Sequence, residues 1–131
     1  MPIAVLALWI AAGSALGGLA RFLISGLVAR AVGETFPWGT LVVNVSGALI
    51  IGAVTGAAQH QTLLARPEAW HVIVTGFLGS YTTVSSFSFQ TLALINEGEW
   101  LRASCNLTLS LLLCLSAVTL GYVTAAGVGL W

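Results

Sequence analysis

At 131 residues, with four Lys+Arg against four Asp+Glu, the chain is 6% charged and 58% hydrophobic, with a mean hydropathy of +1.01. Soluble domains carry about 25% charged residues, so this composition excludes a water-facing surface over most of the molecule and points to an integral membrane protein. A net charge of zero with no basic run excludes nucleic acid as a partner.

Four apolar segments reach the roughly 20 residues that a spanning helix needs. The first covers about residues 3–31. Its opening, MPIAVLALWIAAGSALGG, has the apolar run of a signal peptide. No Lys or Arg precedes that run and the hydrophobic pattern continues past it, so it reads as a first transmembrane helix. Gly13, Gly17, Arg21 and Ser25 recur on one face of it. The connection AVGETFPWG, with Glu34 and Pro37-Trp38, suits a turn at the interface. The second segment, about 39–58, repeats the pattern with Asn44, Ala48, Gly52 and Gly56. Faces of small residues let helices approach closely in lipid. With Arg21 and Asn44 on them, these two read as packing or pore faces.

After QHQTLLARPEAW, where Pro67 opens the helix, the third segment runs over about 69–95. NEGEWLR then leads to the fourth, about 103–130, in which Asn106, Ser110 and Cys114 form a polar stripe. Cys105 and Cys114 lie about 13 Å apart along that helix, too far to bridge, and read as small buried residues. Trp38, Trp70, Trp100 and Trp131 fall near segment ends, as an aromatic belt requires. The runs lack the alternation of barrel strands. The expected fold is a single all-α transmembrane domain of four helices over residues 1–131.

Four spans put both termini on the side of Arg66 and leave Arg30 and Arg102 on the other, nearly no bias under the positive-inside rule. Two arrangements stay open: one weakly specified orientation, or dual topology with copies paired antiparallel.

The densest polar cluster, GFLGSYTTVSSFSFQT (Gly76–Thr91), lies inside the third segment. An unbroken helix over residues 69–95 would be roughly 40 Å long. Gly76, Gly79 and the clustered hydroxyls near its midpoint weaken helix formation, because hydroxyls compete for backbone groups. A helix broken at its midpoint would expose carbonyls and amides that can meet an ion, which lipid tolerates only where they are buried in protein or line a cavity. The alternative is a continuous helix whose hydroxyls bond their own carbonyls.

Enzyme chemistry finds no support: there is no HExxH, nucleophile elbow or P-loop, and both histidines sit near helix ends. No carboxylate falls inside a predicted span, which argues against a proton-coupled small-molecule exporter of the four-helix type, the alternative function considered. What remains inside is Arg21 and neutral hydrogen-bonding groups. Arg21 either snorkels to a carbonyl partner or holds a fixed positive charge beside an anion vestibule. Asn44 either glues helices or donates to an anion.

GGLARF (Gly17–Phe22), PWGTLVVNVSG (Pro37–Gly47) and GFLGSYTTVSSFS (Gly76–Ser88) occur in this order, and together they resemble the CrcB/Fluc fluoride channels. The resemblance covers the whole four-helix plan. It implies an antiparallel dual-topology homodimer with two pores, passing fluoride passively across the bacterial inner membrane for fluoride resistance. It implies a structural sodium ion at the dimer centre, held by backbone carbonyls that map to Gly79 and Thr82. Asn44 matches the family's pore asparagine and Arg21 its first-helix arginine. The family's TTFSTF reads Thr82-Thr83-Val84-Ser85-Ser86-Phe87. Phe87 therefore matches the second pore phenylalanine, Val84 replaces the first, and Thr83, Ser85 and Ser86 fall on the fluoride-facing wall. Ser110 and Cys114 map to the fourth-helix polar track. Val84 lacks a phenyl ring's electropositive edge, and Tyr81, where the family has a small or apolar residue, is a second departure.

Overall fold

The computed structural model describes residues 1–60 and 63–127. Among these, all regular structure is helical, and four spans are long and apolar enough to cross a membrane: Ile3–Val32, Trp38–Ala58, Pro67–Asn96 and Trp100–Ala126. The first two are single helices, α1 and α2. A 3₁₀ turn at Leu63–Ala65 leads into the third span. That span is composite. It begins with α3 (Pro67–Trp70) and continues as a π-helical segment, His71–Leu78. One turn of α-helix, α4 (Gly79–Tyr81), is followed by α5 (Ser85–Asn96). Residues 82–84 between them are not helical, and Thr82 is extended at φ −80° and ψ 160°. The fourth span is one helix, α6 (Trp100–Ala126). It starts three residues ahead of the expected Ala103, because Glu99 and Trp100 join its first turn. The expected end near Leu130, the belt position Trp131, and Gln61 and Thr62 of the second connection lie outside the described residues.

Local sequence accounts for the helix ends. Pro67 occupies the first helical position of α3, where its missing N–H costs nothing. α5 ends in a Schellman motif: the Glu99 amide donates to the Leu94 carbonyl at 2.8 Å and the Gly98 amide to Ile95 at 3.0 Å. Gly98 sits at φ 78°, a left-handed conformation that suits glycine, and this lets α6 begin within two residues.

Both small-residue faces turn out to be packing faces within the chain. On α1, a Cβ at Gly13 would collide with the Val72 carbonyl and one at Gly17 with the Phe77 carbonyl, so α1 lies directly on the π segment's backbone. Gly76 answers from the other side, where a Cβ would stand 2.7 Å from the Ile10 carbonyl. Ser14 donates to the Gly76 carbonyl at 3.4 Å, helping to satisfy the widened ladder. On α2, Gly52 and Gly56 meet the Val118 and Tyr122 carbonyls of α6, and Gly121 of α6 meets Leu49. The backbones of these helices approach as small-residue interfaces in lipid allow.

The buried core is correspondingly small. Val43, Leu78 and Tyr81 form its centre, with Ala20, Ile24, Ile51, Val74 and Phe77 around them. Most large apolar side chains on α1, α5 and α6 are exposed, among them Phe22, Phe89, Leu107 and Leu111. Such a surface suits lipid or another protein rather than water. Cys105, expected to be buried, is exposed because it lies on the outward side of α6; Cys114 is partly covered.

Candidate functional site

Arg21 and Asn44, from the first two spans, reach the non-helical residues 82–84. Asn44, one turn and a half into α2, faces Thr83 of the third span. Its Nδ2 donates to the Thr83 carbonyl at 2.8 Å and its Oδ1 accepts the Thr83 amide at 2.8 Å. One amide side chain thus replaces both helical partners of that residue, in a span where unpaired backbone groups are costly. Thr83 also takes over the start of α5: its Oγ1 accepts the Ser86 amide at 3.1 Å, as a capping side chain does. The same hydroxyl lies 3.1 Å from Ser85 Oγ and 3.3 Å from Ser86 Oγ.

These bonds displace two carbonyls from the ordinary ladder. In a continuous α-helix the Gly79 carbonyl would accept the Thr83 amide and the Thr82 carbonyl the Ser86 amide. Here Asn44 takes the first amide and the Thr83 hydroxyl takes the second. Arg21 of α1 supplies one replacement, its Nη1 donating to the Thr82 carbonyl at 3.3 Å. Thr82 itself still closes the turn below, its amide and its hydroxyl both donating to the Leu78 carbonyl at 3.0 and 2.9 Å.

Arg21 lies roughly 16 Å along α1 from Val32, at a rise of about 1.5 Å per residue. It lines a groove of about 550 Å³ between α1, the start of α2, and α5. Thr83, Ser86 and Gln90 line the groove from the third span, while Glu34 and Glu97 flank it at the helix ends. The guanidinium therefore has a carbonyl partner and also lines the groove. Against two carboxylates at the helix ends, it is the groove's one cationic side chain among the described residues.

The structure therefore gathers Arg21, Asn44, Thr82, Thr83, Ser85 and Ser86 at one turn, with Gly79 exposed one helical turn before Thr83. Val84 and Phe87 lie outside the groove, and Val84 is 76% exposed. Ser110 and Cys114 are partly buried on α6 and do not line the groove either. Asn106, the head of their stripe, is buried and donates to Thr91 Oγ1 at 2.9 Å, and Thr91 donates to the Phe87 carbonyl at 2.7 Å. This relay ties α6 to the stretch of α5 that carries Phe87.

Sequence reasoning missed three participants. Gln90 lines the groove with a buried Oε1 that has no hydrogen-bond partner; its place one turn beyond Ser86 was the available signal. Thr91 carries the relay from Asn106. Ser46 bonds Tyr81 across α2 and the third span at 2.8 Å. Its spacing of two from Asn44 in NVSG puts the two on different sides of a helix, so no local pattern marks it.

Comparison with known proteins gives the chain's family. The chain is 58% identical over 119 residues to the fluoride-specific ion channel FluC 2 of Rhodopseudomonas palustris, covering 90% of this chain and 91% of that protein. It is 54% identical over 121 residues to FluC 2 of Bradyrhizobium diazoefficiens, covering 92% and 88%. FluC of Opitutus terrae is also 54% identical over 121 residues, covering 92% of each. All three are named as ion channels rather than enzymes. The family described as CrcB-like protein, Camphor Resistance (CrcB), matches residues 8–122, a stretch that contains every residue of the Asn44–Thr83 clamp and its surroundings, and the chain belongs to that family.

Proposed function

We propose that this protein is a fluoride-selective channel that lets fluoride leave the bacterial cell passively across the inner membrane. The observation that carries the reading is the clamped, non-helical turn at the midpoint of the 30-residue third span, in a chain whose relatives are named fluoride-specific channels. Fluoride is small and strongly hydrated, so a narrow path must replace its water with donors. Asn44 keeps a second Nδ2 proton beyond the one given to Thr83. Ser85 and Ser86 add hydroxyls, and the N-terminus of α5 adds a favourable dipole. Arg21, bonded to the Thr82 carbonyl, places a positive charge beside the turn and offsets one of the two carboxylates, Glu34 and Glu97, at the groove's ends. The wall formed by Thr83, Val84, Ser85, Ser86 and Phe87 is continued by Ser110 and Cys114 once a second copy is in place. No second reading is favoured: the acidic residues Glu34, Glu68, Glu97 and Glu99 all stand at span ends, whereas an exporter needs a proton-binding group within the membrane.

The working unit is an antiparallel homodimer of dual-topology copies, built around third spans that act as broken helices. Support comes from the exposed apolar side chains beside the turn, Val84 and Phe89 among them, and from the balanced arginines Arg30, Arg66 and Arg102. The Gly79 and Thr82 carbonyls suit a sodium ion at the dimer centre. Both have lost their usual helical amide, and a carbonyl oxygen has two lone pairs, so Thr82 can serve Arg21 and a cation together. Two oxygens per copy give four in a symmetric pair. A bound sodium ion would bridge the copies and add fixed positive charge near the anion path.

The deciding experiment is fluoride efflux from proteoliposomes, read with a fluoride electrode and with chloride as control. We expect fast fluoride release and none for chloride. Release no faster than from protein-free vesicles would overturn the channel reading.

A further inference from the structure

Tyr81 closes α4 immediately before extended Thr82, and its side chain is 4% exposed. It is held at both ends. Its ring stacks on Phe77 with centroids 5.7 Å apart and an interplanar angle of 12°. The ring also runs beside Gly47, where a Cβ would come within 3.3 Å of Tyr81 Cδ1 and collide with the Thr82 methyl group. Its hydroxyl lies 2.8 Å from Ser46 Oγ. Ser46 Oγ in turn donates to the Val43 carbonyl at 3.1 Å. A serine hydroxyl has one proton, and with that proton on the Val43 carbonyl Ser46 accepts from the Tyr81 hydroxyl.

This tether reaches the turn from the same helix as the Asn44 clamp. Asn44 fixes Thr83 and Ser46 fixes Tyr81, so α2 grips the residues on both sides of Thr82. The Thr82 backbone between two fixed neighbours has little freedom left to rotate its carbonyl. We infer that Tyr81, acting through Ser46, is a positioning residue that sets the direction of the Thr82 carbonyl and hence its fitness as a cation ligand. The inference rests on the reading of Gly79 and Thr82 as sodium ligands. It adds a side chain to that site which touches neither ion.

The test compares Tyr81→Phe, Ser46→Ala, the double variant and the hydroxyl-keeping Ser46→Thr in full-length protein. Each is purified and checked for unchanged melting temperature and oligomeric state. Fluoride efflux from proteoliposomes is then followed over a sodium series, with N-methylglucamine replacing sodium. Tyr81→Phe and Ser46→Ala should each raise the half-activating sodium concentration by about fivefold, the effect of one positioning hydrogen bond. The double variant should match either single one, and Ser46→Thr should match the unsubstituted protein. A merely structural hydroxyl would change the melting temperature and leave the sodium curve in place. Superimposable sodium curves for Tyr81→Phe and the unsubstituted protein would overturn the inference. If efflux by the unsubstituted protein is fast at every sodium level, the sodium reading itself fails. The efflux rates then decide the positioning role: a drop in Tyr81→Phe that Ser46→Ala reproduces without adding to it supports it, and equal rates overturn it.

Discussion

Asn44 uses both ends of one amide on a single backbone residue, and that economy makes it sensitive to change. Asn44→Ala would leave the Thr83 amide and carbonyl without partners, at a cost of about 1–3 kcal/mol for each buried group. With the wall of the path displaced, we expect fluoride efflux to fall by about tenfold or more; an efflux rate equal to that of the unsubstituted protein would show that the clamp is dispensable. Val84 sits at the opposite extreme. It is 76% exposed on one protomer and lies outside the groove, so Val84→Phe should leave the protomer's melting temperature unchanged. In the proposed dimer its effect belongs to the assembled pore, where a phenyl edge is a better partner for an anion than an isopropyl group. We expect altered fluoride flux with the dimer intact, measured by electrode efflux and light scattering; unaltered flux would remove position 84 from the path. Asn44 and Arg21 were legible in the sequence, because a polar side chain on an apolar stripe stands out. Tyr81 and Ser46 were not: their bond joins positions 35 residues apart, and no periodicity records it.

At the scale of elements, the third span depends on the close approach of α1. Gly17 meets the Phe77 carbonyl directly, so Gly17→Val forces the two backbones apart. Overpacking of this kind costs about 1–3 kcal/mol, and the purified protein should melt several degrees lower. Gly18, its neighbour, faces open space, and Gly18→Val should melt at or above the original temperature. Equal melting of the two variants would mean that α1 does not seat on the π segment as described. The glycine stripes were visible in the sequence as faces. Which helix each face met was not, since the same pattern serves contact within a chain or between copies. The π segment had no sequence signal. It lies where Gly13, Gly17 and Gly76 let two backbones touch.

For the whole molecule, the apolar exterior and the balanced arginines bear on how copies sit in the membrane. A cysteine placed at exposed Thr35, in the connection between α1 and α2, reports this once Cys105 and Cys114 are replaced. With dual topology, about half of the copies should react with a membrane-impermeant maleimide in intact cells, and all of them after permeabilisation. Labelling of all copies or of none before permeabilisation would establish a single orientation and remove the antiparallel pair.

The sequence alone determined that the chain carries four segments long and apolar enough to cross a membrane, and a 6% charged chain cannot cover itself in water. It also marked the polar cluster at mid-span, where clustered hydroxyls and glycine weaken helix formation, and left open whether the helix breaks there. Tertiary structure decided what holds the turn at residues 82–84 open. Asn44, Arg21 and Ser46 come from other helices, and only packing brings their donors and acceptors to Tyr81, Thr82 and Thr83. The reason is one of range. Composition and periodicity report what each residue prefers beside its neighbours, whereas hydrogen-bond satisfaction in lipid is settled between helices far apart in the chain.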